Sequence, residues 1–203
     1  MTFTSYQALQ ESVAAWLNEA DLVNRIPDFI ALAEGVMNRR LDHSQMVNVA
    51  RISFSSERAH LPDDFLAVKS VRIGDAPNPY LAFITLDAFA GRFAQQGVPA
   101  EYTLRGGYIL FHPAPEAATV ATLLYKSKIP PLSENGENWL LSAYPDLYLY
   151  GALIQAAPYM EDEERGGAWQ DFFEKAIVDV NLDGQRQSMG GTLQTNNGQV
   201  RVY

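Results

Sequence analysis

The chain predicts an α+β fold: a helical bundle body from N- and C-terminal helices, an inserted, mostly antiparallel β lobe, and an extended C-terminal arm. Three observations carry this. Apolar residues recur at helical spacing near both ends, at Leu9, Val13, Trp16 and Leu17 and again at Trp169, Phe172, Phe173, Ala176, Ile177 and Val180. Between residues 46 and 127 the period shifts toward two, with turn residues between runs. From Gly184 onward the side chains are mostly polar or glycine, with Arg186 and Arg201 and no acid. The expected boundaries are 1–45, 46–132, 133–184 and 185–203.

Ser5 can cap a first helix running to Asn18. Asp21 then opens a longer one, with Leu22, Ile26, Phe29, Ile30, Ala33, Val36, Met37 and Leu41 on its apolar side. Pro27 near its beginning predicts a kink or a restart there, because proline lacks the N–H of an interior turn. A strand follows at 46–55, and Leu61-Pro62-Asp63-Asp64-Phe65-Leu66 is a turn before a second strand, Ala67 to Ile73. Asn78 to Phe83 reads as another strand and Thr85 to Phe93 as a short helix capped by Thr85. Gly106-Gly107 between 101–105 and 108–112 is the clearest hairpin signal, and Ala118 to Lys126 supplies the next strand.

Ile129-Pro130-Pro131-Leu132 reads as an extended connector out of the lobe. A helix from Tyr144 to Ala157 has Pro145 and Asp146 in its first turn and Pro158 closing it. The last helix runs from Asp162 to about Gly184, and Gly166-Gly167 inside it predicts close approach of a neighbouring helix. Val200 to Tyr203 have strand character, suited to adding to a partner's sheet.

Composition excludes several classes of function. The 203 residues carry net charge −9, with −11 on residues 1–183 and +2 on the tail, so no basic patch is in place to grip phosphates. An acidic surface still suits a conduit through which DNA slides. The chain has no cysteine, hence no disulfide or thiolate metal site, which fits a reducing compartment. No apolar run is long enough to span a membrane, and Met1 to Tyr6 do not read as a secretory signal.

Candidate chemistry is sparse. His43, His60 and His112 are scattered without metal-ligand spacing and read as surface or capping residues. Asp63-Asp64 follows proline in a turn, and Glu161-Asp162-Glu163-Glu164 suits the first turn of a helix. A hydrolase using Asp63, Asp64 or Glu161 remains the competing class, although neither cluster has a matched acid–base partner in sequence. No phosphate loop or nucleophile elbow occurs. Tyr144, Tyr148 and Tyr150 suit sugar stacking in a carbohydrate-binding module, but their helical spacing reads as core or subunit-contact packing.

The order of Ile26-Pro27-Asp28-Phe29-Ile30, Asn38-Arg39-Arg40-Leu41, Leu61-Pro62-Asp63-Asp64-Phe65-Leu66, Ile129-Pro130-Pro131-Leu132, Asn138-Trp139-Leu140-Leu141 and Tyr144 to Gly151 resembles the head-to-tail adaptor (connector) proteins of tailed bacteriophages. The resemblance covers roughly residues 5–182. It implies a structural virion protein, made in the bacterial host's cytoplasm, with no catalytic residues, no cofactor and no metal. It further implies a homo-oligomeric ring, usually a dodecamer, joining the portal protein to a downstream tail protein, with DNA passing through without sequence-specific binding and no membrane involved. Carried onto this chain, Gly190 to Tyr203 become the candidate portal-docking arm, with Leu193, Val200, Arg201, Val202 and Tyr203 as contact residues. Trp139, Tyr144, Tyr148, Tyr150 and Trp169 are the candidate ring-packing or structural residues.

Overall fold

The computed structural model describes residues 5–75, 77–160 and 163–189. The N-terminal helices are α1 (Tyr6–Leu17), a 3-10 segment at Ala20–Arg25, and α2 (Ile26–Arg40). Then come β1 (Val47–Phe54), β2 (Arg58–His60), β3 (Phe65–Ile73), β4 (Ala82–Phe83), α3 (Leu86–Ala90), β5 (Glu101–Arg105), β6 (Tyr108–His112) and β7 (Thr119–Ser127). Helices return as α4 (Leu132–Asn135), α5 (Trp139–Ala143), α6 (Pro145–Ala156), a 3-10 segment at Ala157–Tyr159, and α7 (Glu163–Met189). Long helices and antiparallel sheets in separate stretches make this the α+β class that the sequence predicts. Contacts divide the chain into a helical unit, 1–45 with 129–203, and a β unit, 46–128.

In the helical unit, the Ser5 hydroxyl accepts from the Ala8 N–H and starts α1, and left-handed Asn18 ends it. The 3-10 segment and the restart at Ile26 place Pro27 in the first turn of α2, where its missing N–H costs least. α6 is the central element: it packs on α1, α2 and α7 and is buried on nearly every side. Gly151 permits this. A Cβ there would lie 2.8 Å from the Met37 Cε, 3.0 Å from the Phe173 ring and 3.2 Å from the Ala33 Cβ.

Several expectations shift. α7 runs to Met189 rather than stopping at Gly184. Gly184 is a packing residue there, since a Cβ would lie 2.8 Å from both the Asp42 carbonyl oxygen and the His43 Cα. Gly166 does sit near Ala157, but Gly167 faces open space. Trp16 and Phe172, read as inward positions, are exposed and flank the ring of Tyr150.

The β unit holds two sheets, ordered β1-β7-β3 and β2-β6-β5-β4. All pairings are antiparallel except the short β4–β5 contact. Gly106 and Gly107 both take positive φ, 54° and 83°, as a two-residue hairpin turn requires. Phe54, Val71, Tyr102, Ile109, Phe111, Leu123 and Tyr125 form the core, with the Phe54 and Phe111 rings stacked at 4.0 Å. The strand expected at 78–83 shrinks to Ala82–Phe83, and β2 is an element the sequence pattern does not reveal. Thr85 caps α3 as expected, through its hydroxyl and the Ala88 N–H.

Candidate functional site in the helical unit

Four of the motifs that carry the resemblance, those beginning at Asn38, Ile129, Asn138 and Tyr144, meet in one buried polar clamp. Glu34 lies on the inward side of α2, and its Oε1 accepts from the Leu132 N–H at 2.9 Å and from the Tyr148 hydroxyl at 3.2 Å. Asn38, one turn further, accepts the Ile129 N–H at 2.8 Å. The Ile-Pro-Pro-Leu connector is therefore held at both ends by α2 side chains. Two prolines supply no N–H of their own, so these two amides are the donors the connector has to place.

Asn138 completes the clamp. Its Oδ1 accepts from the Leu141 N–H and caps α5, while its Nδ2 donates to the Pro130 carbonyl at 2.8 Å and the Tyr148 hydroxyl at 2.7 Å. Tyr148 thus receives from Asn138 and donates to Glu34, with its ring fully buried. Burial raises the Glu34 carboxyl above its usual range, against the lowering effect of the Leu132 and Tyr148 hydrogen bonds. Burial, reinforced by the Glu34 charge, likewise raises Tyr148 far above an ordinary phenol. The Glu34 Oε1, both side-chain polar atoms of Asn138 and the Tyr148 hydroxyl are all engaged within this cluster, which ties α2, the connector, α5 and α6 together.

A second cluster fastens the end of α7 to the segment after α2. The Asp42 N–H donates to the Asn181 side chain at 2.7 Å, the Ser44 hydroxyl to Gln187 at 2.6 Å, and the Tyr144 hydroxyl to Asp183 at 2.6 Å. The Tyr144 hydrogen bond holds Asp183 below the usual carboxylate range, while burial and that same carboxylate push Tyr144 up to about 12. His43 is buried here and takes the capping rather than the surface role of the two that the sequence predicts for it. It stacks on Trp139 with ring centroids 4.9 Å apart, and its Nδ1 accepts from the Gln45 N–H. Its Nε2 points toward Asp183 at 3.8 Å, beyond hydrogen-bond range.

The candidate residues fall into distinct places. Tyr148 and Trp169 are in the core of the helical unit, so Tyr148 is closed to sugar stacking. Trp139 and Tyr144 are half-buried around His43, and Tyr150 is half-buried between Trp16 and Phe172. Leu193, Val200, Arg201, Val202 and Tyr203 lie outside the described residues, as does Glu161. Asp64 accepts the Tyr125 hydroxyl at 2.9 Å, and the Asp63 carbonyl accepts from the Lys128 ammonium. These contacts hold the 61–66 turn against β7.

A cleft of about 740 Å³ in the β unit, beside α3, is lined by Leu86, Phe89, Phe93, Arg92, Arg105 and His112 among others. Arg92 is engaged there by Glu101 through two hydrogen bonds. Among the described residues no three His, Asp or Glu side chains gather as a metal site, and no helix is long and apolar enough to cross a membrane.

Glu34 and Asn138 are the residues that sequence reasoning missed. The signal was present: Glu34 stands between Ala33 and Met37 on an otherwise apolar stripe, where a carboxylate needs buried partners. With this geometry in place, comparison with known proteins is informative. The model of the SU10 adaptor protein family matches residues 4–199. No curated protein sequence matches the chain. The match covers nearly the whole chain, which belongs to the SU10 adaptor protein family.

Proposed function

We propose that this bacteriophage structural adaptor assembles into an oligomeric ring, twelve copies in number, that connects the portal to the tail and leaves a conduit for DNA. The observation that carries the reading is the family match across residues 4–199, which takes in every described element. Two physical features support it. The helical unit contains 17 acidic and 7 basic side chains, net −10, so a DNA duplex passing it is repelled rather than held. Its buried clamp joins helices and connector by hydrogen bonds, as a subunit that transmits load requires, and in this reading the role is structural rather than catalytic.

In this reading residues 190–203 are the arm that docks on the portal, and the adaptor is a virion component. The test is deletion of 190–203 in the otherwise intact chain, followed by circular dichroism and by binding to portal-bearing heads. The truncated protein is expected to stay folded and to lose attachment. Attachment equal to that of the intact chain, or loss of folding, overturns the arm. An intact chain that stays monomeric and ignores the portal in electron micrographs overturns the ring.

A further inference from the structure

Among the described residues two faces stand exposed, and they carry complementary chemistry. Along β7, Ala121, Leu123 and Tyr125 point into the core, so Thr122, Leu124 and Lys126 point to the other side of the sheet. Paired residues share a face, which sets Val49 beside Leu124 and both Arg51 and Arg72 beside Thr122. The result is an aliphatic centre, with Val49 64% exposed, bordered by three cations. Asp75, bonded to Arg51, is the carboxylate at this border.

The second face is on α7. Asp171, Lys175, Val178 and Leu182 follow one another at spacings of four, three and four, which aligns them along one side of the helix, with Asp179 adjoining. Val178 is 54% and Leu182 43% exposed. Here the aliphatic centre is bordered by Asp171 and Asp179, with Lys175 between them. The units that bear the two faces differ in the same sense: the β unit has 7 acidic and 8 basic residues, net +1, against −10 for the helical unit.

We infer that the outer face of the β1-β7-β3 sheet docks on the outward face of α7 of a second copy. The contact rests on the ring reading above and deepens it, because two different faces meeting head to tail form the heterologous contact from which rings close. Charge complementarity selects the partner, and the aliphatic centres select protein over duplex DNA, whose phosphates call for cations across the whole face rather than at its border.

The test uses two full-length variants, Arg51→Glu with Arg72→Glu and Asp171→Lys with Asp179→Lys. Assembly with portal is counted by native mass spectrometry, and folding is followed by circular dichroism. Each variant alone opposes like charges across the contact and is expected to assemble at least about tenfold less well than the parent. An equimolar mixture is expected to recover, since in an alternating ring each contact is either parental or fully reversed. Val49→Asp and Val178→Asp provide a second pair should a double variant fail to fold, and each is expected to block assembly.

Assembly of any folded variant at the parental level overturns the inference while leaving the ring reading standing, as does a mixture that does not recover. Normal assembly of the Arg51→Glu, Arg72→Glu variant with loss of DNA retention reassigns the sheet face to DNA and also overturns it. A parent chain that never assembles with portal fails the ring reading itself.

Discussion

The helical unit is closed from two separated stretches of chain, while the β unit is one continuous stretch from 46 to 128. The β unit is held by an apolar core and by backbone ladders, some local, as in the β5–β6 hairpin, and others joining distant strands, as where β1 and β3 both pair with β7. The helical unit instead relies on side-chain hydrogen bonds that reach across the chain: Glu34 to Leu132 and Tyr148, Asn38 to Ile129, Asp42 to Asn181. Strands satisfy their own polar groups by pairing. The Pro-Pro connector cannot do so, and α2 has to supply partners for it. A clamp of this kind ties the two separated stretches to one geometry, which suits a structural adaptor.

The contrast predicts separable responses. Phe111→Ala removes a fully buried ring from the β core and should cost about 3–5 kcal/mol. Hydrogen exchange followed by mass spectrometry should place the lost protection within 46–128. Equal loss across α2 and α6 would mean the two units unfold together and would break the comparison.

A smaller effect separates glycines within the helical unit. Gly151→Ala forces a methyl against Met37, Phe173 and Ala33 and should cost about 1–3 kcal/mol, read from urea denaturation. Gly167→Ala meets nothing within 4 Å and should stabilise by about 1 kcal/mol through helix propensity. Matching signs for the two substitutions would contradict the central packing assigned to α6.

The smallest effect is a pH slope. Burial raises the Glu34 carboxyl, so the folded chain keeps that proton where the unfolded chain has released it. The associated stability is full below the unfolded carboxylate value and is lost as pH rises through the higher folded one. Glu34→Gln keeps an acceptor for Leu132 and Tyr148 and should flatten this decline in melts taken at increasing pH. An unchanged slope would place the raised carboxyl elsewhere.

How much of this was legible varied with the range of the physics. The 106–107 hairpin and the Ser5 and Thr85 caps could be read because a few adjacent residues decide them. The aromatic run from Trp139 to Tyr150 is legible as packing, whereas the organising role of Asn138 beside it is not, because two of its partners come from the connector and α6. The end of α7 was placed too early because a glycine at 184 resembles a stop until Asp42 and His43 are seen against it. For His43 the sequence allows a surface or a capping role, and nothing nearby in it announces the Trp139 ring that covers the imidazole.

By itself the sequence determined the α+β class, the helical ends around a β lobe and the family, because hydrophobic period, turn chemistry and motif order are local or ordered along the chain. Only the tertiary structure decided that Glu34, Asn138 and Tyr148 form one clamp, that Gly151 and Gly184 are points of close approach, and that one sheet face and one side of α7 stand open. Those properties depend on which distant residues are brought within a few ångströms, and side-chain burial and hydrogen-bond satisfaction have no meaning before that has happened.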